Sequence, residues 1–570
     1  MSESDSESKQ QKQTIRNPRL VRKVCVTAFL AGWAVTGPVL ASVQVHWLNS
    51  LYLSLVLTPF LTCIILRAIK LKRHGWHFLS WQEARSHYGW PILATFTTIV
   101  LLYSLEHWRG ARAFERLRQS VEASGGSLEL SSLAPAPIAD DKNLCETPLL
   151  RALIQGNHDA NLALGDYRDI TPSEDLTRIQ KIEPPARPPL ERPLWFSNQT
   201  TDFNYWTRPS KSQRRTNQQE TSTTNPASQL LSDLEPYSLT LEELAKESKA
   251  RPKGRWNLPY ERGWMIEALV GARDQAISYL VTVLSLRSSA FLAIGDRDAA
   301  AQDLLLGFRL AESLEGSPSF YIHIRRMDFL LTLIQPFWEG LALHRWSTDQ
   351  LETFYTALTK VDLLRDSVRL RKGAALAQID LWDQVDEAYS LKTLINHFGQ
   401  LADRDDGARL WVTLLWQLHP KGWSYQSKVF TYEYFFPDSE LKKPRIPVNP
   451  VCSLFVLPKL KAIEFELEDH FPTANIAIQE ALLAIELEKY YLTAGHYPDS
   501  LDLLPKERQE RSHLIDYHPG PVDRYLLSPQ SNPSPSEVFQ RNDNQQIVRV
   551  GSGYWDLVWR YPKIENENRE

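Results

Sequence analysis

Residues 24–66 run for 43 positions without one Asp, Glu, Lys or Arg. One helix across a ~30 Å hydrocarbon core needs about 20 residues, so this length suits two spans joined by a tight turn. The turn is expected near His46-Trp47-Leu48-Asn49, where polarity rises and Trp47 can sit at the interface. A third charge-free stretch, 89–105, is flanked by Trp90 and Trp108 and has 17 residues, the short end for a span. Pro91 falls in its first turn, where a helix has no internal donor to lose. The alternative for the first span is a cleaved signal peptide, since Arg22-Lys23 precede it and Val39-Leu40-Ala41-Ser42 is loosely cleavage-like. A long polar leader and a second span close behind argue against that.

Basic residues beside the spans set orientation. Arg16, Arg19, Arg22 and Lys23 precede the first span; Arg67, Lys70, Lys72, Arg73 and Arg85 lie between the second and third; Arg109, Arg112, Arg116 and Arg118 follow the third. With three spans, nine of these face the cytoplasm and four face out. That places the N-terminus inside and the large C-terminal part outside. If 89–108 lies on the surface instead of spanning, the large part is cytoplasmic.

Elsewhere the chain reads as globular. Its 64 Lys+Arg against 68 Asp+Glu leave a formal charge of −4, which excludes a protein that coats nucleic acid. Four cysteines in 570 residues exclude a disulfide scaffold. Eighteen Trp against only 24 Gly point to helices with aromatic anchors.

The expected organisation is a disordered cytoplasmic tail at 1–23, transmembrane helices at 24–47, 48–66 and 89–108, and a basic loop at 67–88. An amphipathic helix and connector follow at 109–165, the helix stopping at Gly125-Gly126 and the connector including the extended Ala134-Pro-Ala-Pro137. Residues 166–235 are a polar Pro/Ser/Thr-rich linker, flexible at 214–228, which Trp195-Phe196 and Tyr205-Trp206 dock onto a folded surface. A helical domain at 236–440 is followed by a Pro-rich connector at 441–470, a small α+β section at 471–562 and a disordered tail at 563–570.

Within the helical domain, apolar residues recur on a 3.6-residue period over 264–294, 299–314, 320–344, 350–364, 373–388, 391–402 and 408–418. Gly295-Asp296 ends one helix and caps the next, Pro336 is expected to kink the third, and Ser347-Thr-Asp-Gln350 is a capping-box start. The 290–318 stretch is similar to a tetratricopeptide helix pair but lacks the defining aromatics and a second copy, favouring a bundle or irregular solenoid. Later come a helix at 475–493 ended by Gly495, one further turn at 499–504, and strands at 524–527, 547–550 and 556–561. The fold class is mainly α: N-terminal transmembrane helices, an extracytoplasmic multi-helix body and a small α+β C-terminal section.

No zinc-protease pattern, Gly-x-Ser-x-Gly elbow, phosphate-binding loop or dinucleotide fingerprint occurs. Ser439-Glu-Leu-Lys442 has a Ser-x-x-Lys spacing that also occurs at Ser6-Glu-Ser-Lys9, so it carries little. Asp403-Arg-Asp-Asp-Gly407 resembles a calcium loop, but Asp405 and Asp406 are adjacent and no closing Glu follows; a solvated turn is favoured. His74, His77 and His87 suit headgroup contact better than a ligand set. Trp338-Glu339 with Trp346 reads either as an aromatic binding patch or, preferably, as helix packing with Glu339 at the surface. Cys25 and Cys63 fall in the spans, and Cys145 and Cys452 could pair in an extracytoplasmic domain. No catalytic, cofactor-binding or metal-binding residue, and no cofactor, is assigned.

Several stretches in order carry a resemblance: Glu115 to Leu128, Pro135-Ala-Pro-Ile-Ala-Asp140, Asn143 to Pro148, Arg251-Pro252 with Leu258-Pro-Tyr260, and Leu286-Arg287 with Gly295-Asp296. Trp338-Glu-Gly-Leu341 with Trp346-Ser347, Gly422-Trp423 with Tyr425-Gln426, Gly495-His-Tyr-Pro498, and Trp555-Asp556 with Val558-Trp-Arg-Tyr-Pro562 continue it. Together, over the chain after about residue 90, they resemble an uncharacterised membrane-anchored protein family of Verrucomicrobia and Planctomycetes. That resemblance implies a membrane anchor and no assigned activity. Members usually have one N-terminal span, so the hairpin at 24–66 departs from the pattern, as does Arg549-Val-Gly-Ser-Gly553 in place of an Asp-Gly-Gly-type loop. The helix ending in Gly495-His-Tyr-Pro498 with strands after it also resembles, over a short stretch, the pseudopilins of type II secretion.

The expected function is a membrane-anchored interaction or scaffold protein of the bacterial cell envelope, in the inner membrane, with the lipid bilayer and an envelope protein as partners and no nucleic acid. The alternatives are an envelope hydrolase with a non-motif active site and a secretion-apparatus component.

Overall fold

The computed structural model describes residues 81–155, 174–182, 184–185, 195, 199–207, 225–258, 260–262, 265–387, 419–436, 449, 452, 456–505, 515–519, 525–529, 540–541 and 547–548. The expected spans at 24–47 and 48–66, the helices at 391–402 and 408–418 and the strand at 556–561 lie outside the described residues. What is described is mainly helical. Twelve helices are labelled in chain order. They are α1 (Trp81–Ala123), α2 (Pro148–Gln155), α3 (Pro226–Leu234), α4 (Ser238–Ala250), α5 (Met265–Ile294) and α6 (Arg297–Glu312), then α7 (Phe320–Ala342), α8 (Thr348–Leu358), α9 (Leu363–Glu387), α10 (Lys421–Phe435), α11 (Leu457–Phe465) and α12 (Phe471–Ala494). Two antiparallel hairpins follow: β1 (Ile515–Pro519) with β2 (Tyr525–Pro529), and β3 (Gln540–Arg541) with β4 (Ile547–Val548). The chain divides into two compact units, Met1–Leu128 with Trp382–Ala462, and Glu129–Leu381 with Ile463–Glu570.

The first unit is organised on α1. Its 43 residues extend about 65 Å and join the charge-free stretch to the amphipathic one in a single helix. α10 packs across the polar half. At the crossing a Cβ on Gly110 would lie 2.2 Å from the Gly422 carbonyl oxygen, and one on Gly422 would lie 1.9 Å from the Glu106 oxygen, so the backbones meet only because both residues are glycine. Glu106 is buried beside them, where it accepts from Gln426 Nε2 (2.7 Å) and Arg109 (2.8 Å). Tyr425 lies against His107 and Phe114, and the buried Lys428 ammonium sits 5.2 Å from the Phe114 and Tyr425 ring centres while pairing with Asp383. The Gly422-Trp-x-Tyr425-Gln426 stretch is thus the α1–α10 contact. One side of the apolar half is uncovered: Leu93, Phe96, Val100, Leu101, Tyr103, Leu105 and Trp108 are all exposed, Phe96 and Leu101 by more than 60%. These positions span an arc of about 200° around the helix, and Ile99, Leu102 and Glu106 on the remaining side are half-buried or buried.

In the second unit α5 is the central helix, with α3, α6 and α7 packed on it. Its Ala276–Ile294 segment is long and apolar enough to cross a membrane by length and composition alone, and 67% of it is buried inside the protein. The turn to α6 follows the sequence reading: Gly295 adopts φ +91°, and the Asp296 carboxylate accepts the Ala299 N–H (3.1 Å). α7 continues through Pro336. The Thr332 carbonyl, which the missing proline N–H leaves free, accepts Ser285 Oγ from α5 at 3.0 Å, so the helix loses no acceptor satisfaction. Ser347 and Gln350 form the predicted capping box of α8.

Three expectations need correction. The helix expected over 350–364 stops at Leu358, because the Asp362 carboxylate accepts the Arg365 N–H (2.9 Å) and starts α9, ten residues before Gly373. The linker expected at 166–235 contains a packed helix: α3 buries Ala227, Leu230 and Leu234. Within the connector expected at 441–470, α11 leads through a π-helical turn at Glu466–His470 directly into α12. β1, absent from the sequence reading, pairs Tyr517 with Leu527 across to the expected strand β2.

Candidate functional site

The second unit brings three separated segments into one junction. Asn143 is fully buried and clamps it: its Nδ2 donates to the Arg255 carbonyl (2.8 Å), and its Oδ1 accepts from the Arg255 (2.9 Å) and Cys145 (3.2 Å) backbone N–H groups. Leu144 N donates to Lys253 O (2.7 Å) and Lys253 N to Lys142 O (3.2 Å), a single parallel bridge between strands that are otherwise irregular. The third segment follows α6. Trp256 Nε1 donates to Ser313 Oγ and Tyr260 OH to Ser317 Oγ, each at 3.0 Å. Pro135–Asp140, Asn143–Pro148 and Arg251–Tyr260, quoted separately for the family resemblance, therefore share one structure. Cys145 lies within it as a free thiol, pushed up to about 12 by burial, and so is no nucleophile at neutral pH. Cys452 is likewise a buried free thiol among the described residues.

Two concavities open around this junction. One, of about 520 Å³, is lined by the Ala136–Ala139 connector, Lys142, Lys253, Gly254, Arg255, Glu312 and Glu315. The other, of about 630 Å³, is a groove among α4, α6, α7 and α8 with Leu305, Leu306, Phe308, Leu330 and Val361 on its walls. Glu312 and Glu315 line both. Below them lies an ionic network. Arg326, 1% exposed, pairs with Asp366 and stands 3.7 Å from Glu315, which Arg365 approaches at 3.9 Å. Burial raises the Glu315 carboxyl, against the Arg326 charge. His323 is fully buried, takes up the Ser317 carbonyl at 2.8 Å and is driven down to about 4 by desolvation, so its ring is neutral at physiological pH.

Trp338, Glu339 and Trp346 are not a surface patch. All three are buried, including Glu339, which the sequence reading put at the surface. One oxygen of Glu339 accepts the Thr201 N–H (2.6 Å), Thr201 Oγ1 (2.7 Å) and Gln335 Nε2 (2.8 Å), while Gln335 Oε1 accepts the Trp195 N–H (2.6 Å). Desolvation still raises the Glu339 carboxyl against these donors. Their role is to dock Trp195 and 199–207 onto α7, the docking expected of Trp195 and Trp206. Trp346 Nε1 donates to Phe337 O (3.0 Å) and its ring stands edge-on to Phe354.

At the end of α7, His344 is the one non-glycine residue with positive φ (+49°) among the described residues. Its Nδ1 lies 2.8 Å from the buried Glu488 carboxylate, which also accepts Tyr497 OH (2.8 Å), and the imidazole stacks on Tyr491 at 4.3 Å. In Gly495-His-Tyr-Pro498, Gly495 is the left-handed cap of α12, Tyr497 holds Glu488, and the Pro498 carbonyl accepts Tyr517 OH from β1 (2.6 Å).

The Ser439–Lys442 pair, the Asp403–Gly407 stretch and His74 and His77 lie outside the described residues. Among the described residues no group of three or more metal-capable side chains converges. The chain matches no protein-family model, no curated protein and no solved structure. Arg326, Asp366, Lys142 and Lys253 carried no motif in the sequence; the local signals for the junction were the 135–140, 143–148 and 251–260 stretches of the resemblance.

Proposed function

We propose that the chain is a membrane-anchored interaction or scaffold protein of the bacterial cell envelope, held in the inner membrane as a multi-pass protein, its second unit outside the cytoplasm and available to an envelope protein. The observation that carries this reading is the inverted polarity of α1. A helix in water buries its apolar residues and exposes its charges. Here α10 crosses at Glu106, Gly110 and Phe114, and Leu93, Phe96, Val100, Leu101, Tyr103, Leu105 and Trp108 are left exposed. In water, each such Leu or Phe forgoes about 1.5–3 kcal/mol of burial; in hydrocarbon the same surface is matched to its solvent. Glu106 and Arg109 at the end of this stretch fit the boundary where polar groups return. The expected family resemblance agrees with an anchor but adds no activity.

Topology is the test. Single cysteines at Asp298 and Val368, both exposed, are introduced after Cys25 and Cys63 are replaced. Cys145 and Cys452 can stay, because both are buried and raised. Labelling of intact spheroplasts by an impermeant maleimide is the expected result. Labelling only after lysis would put the second unit in the cytoplasm and overturn the envelope reading.

A further inference from the structure

We propose that the 520 Å³ cavity over the Asn143 junction is a binding site for a phosphate group carried on a small organic body. Three cations line it: Lys142, Lys253 and Arg255. Among the described residues none of the three has a carboxylate within ion-pair distance. The two acidic residues in the wall are committed elsewhere. Glu312 pairs with Arg309 and has Lys360 at 3.8 Å, while Glu315 lies between Arg326 and Arg365. The cavity therefore presents uncompensated positive charge in a concave, partly apolar setting, where fields are focused and an anion is held more firmly than on a flat surface.

The backbones that carry the three cations are also held in place. The Asn143–Lys253 bridge fixes the backbones of Lys142 and Lys253 beside each other. Arg255 is held by Asn143 through its backbone and by the Ala136 carbonyl through Nη1 (2.8 Å), and its buried Nε has no acceptor. A guanidinium with one edge fixed and no counter-ion suits phosphate better than a carboxylate already present. A cavity of this volume exceeds a bare phosphate, and Pro137 and Ile138 give the remainder an apolar wall for an organic moiety. Neither the membrane anchor nor the sidedness of the second unit enters this inference.

The full chain in detergent micelles is titrated calorimetrically with inorganic phosphate, glycerol 3-phosphate and the diester glycerophosphoglycerol. Binding of the monoester without the diester identifies a free phosphorylated ligand; equal or tighter binding of the diester identifies a lipid headgroup. Both outcomes support the site, provided that the double variant Lys142→Ala/Lys253→Ala weakens binding at least about tenfold while Arg297→Ala leaves it unchanged. Lys142 and Lys253 are exposed side chains, so the double variant retains the fold, checked by its circular dichroism. Absence of saturable binding by every probe, or wild-type affinity in the double variant, overturns the proposal.

Discussion

Glu480 lies in the middle of α12 with no exposure, and neither carboxyl oxygen has a hydrogen-bond partner. Desolvation alone raises its proton affinity well above the ordinary carboxyl value. The group binds its proton more tightly folded than unfolded. Its contribution to stability is therefore full below the unfolded value of about 4.3 and is lost as pH rises through the raised folded value. Glu480→Gln keeps the shape and removes the charge. The variant is expected to be more stable than wild type at neutral pH, because the buried carboxyl must there either hold a proton or bury a charge, whereas the amide does neither. The gain should shrink as pH falls toward 4. Urea denaturation of both proteins across pH 4–8 checks it, and the difference cancels the opposite slope from His323, whose neutral form is favoured in the fold. A second residue-scale expectation concerns His344. Both Gly and Ala lose the Glu488 contact, but only Ala keeps a Cβ in the left-handed conformation, so His344→Ala should be about 1 kcal/mol less stable than His344→Gly. Equal stabilities would mean that the backbone relaxes.

Elements explain which parts of the fold could be read beforehand. Helix punctuation is local chemistry, and it was visible: Gly295-Asp296, the Ser347–Gln350 box and Gly495 all act where their side chains or missing side chains require. The start of α9 was missed because Asp362 caps it across an apolar Val361, which reads as helix continuation. Gly373 reads as a weak helix position, yet it sits inside α9 because a Cβ there would meet the Pro318 carbonyl at 1.8 Å. The docking of Trp195 and 199–207 depends on Gln335 and Glu339, which hold Trp195 and Thr201 from more than 130 residues away in sequence. The candidate site was equally hidden, since Lys142 and Lys253 come from segments more than 100 residues apart that meet at the Asn143 clamp and its backbone bridge. Two element-scale expectations follow from these arrangements. Gly422→Ala forces backbone against backbone at the α1–α10 crossing and should destabilise the first unit by about 1–3 kcal/mol or more, read as faster amide exchange over 106–114. Ser347→Ala removes one half of a closed capping box and should cost about 1 kcal/mol by urea denaturation.

At the scale of the whole molecule, α1 joins an apolar, largely exposed half to a polar half along one axis. From Leu93 to Leu105 is about 18 Å of helix, and 89–105 is about 25 Å, slightly short of a ~30 Å hydrocarbon core. Trp108 just beyond it suits an interface, and the polar half continues for nearly four turns with α10 packed against it. A bilayer around 93–105 therefore makes a specific demand: neighbouring positions should report the same environment whichever way they face. Nitroxides at Phe96→Cys and Leu101→Cys, in the full chain reconstituted into vesicles, should collide readily with oxygen and poorly with a water-soluble nickel complex. A nitroxide at Arg118→Cys, on the exposed side of the polar half, should do the reverse. Were α1 instead covered on one side by another part of the protein, positions 96 and 101, 140° apart around the helix, would differ from each other. Were it in water, both would match Arg118→Cys. Only oxygen-rich, nickel-poor collision at both sites agrees with a helix that enters the membrane by its apolar half.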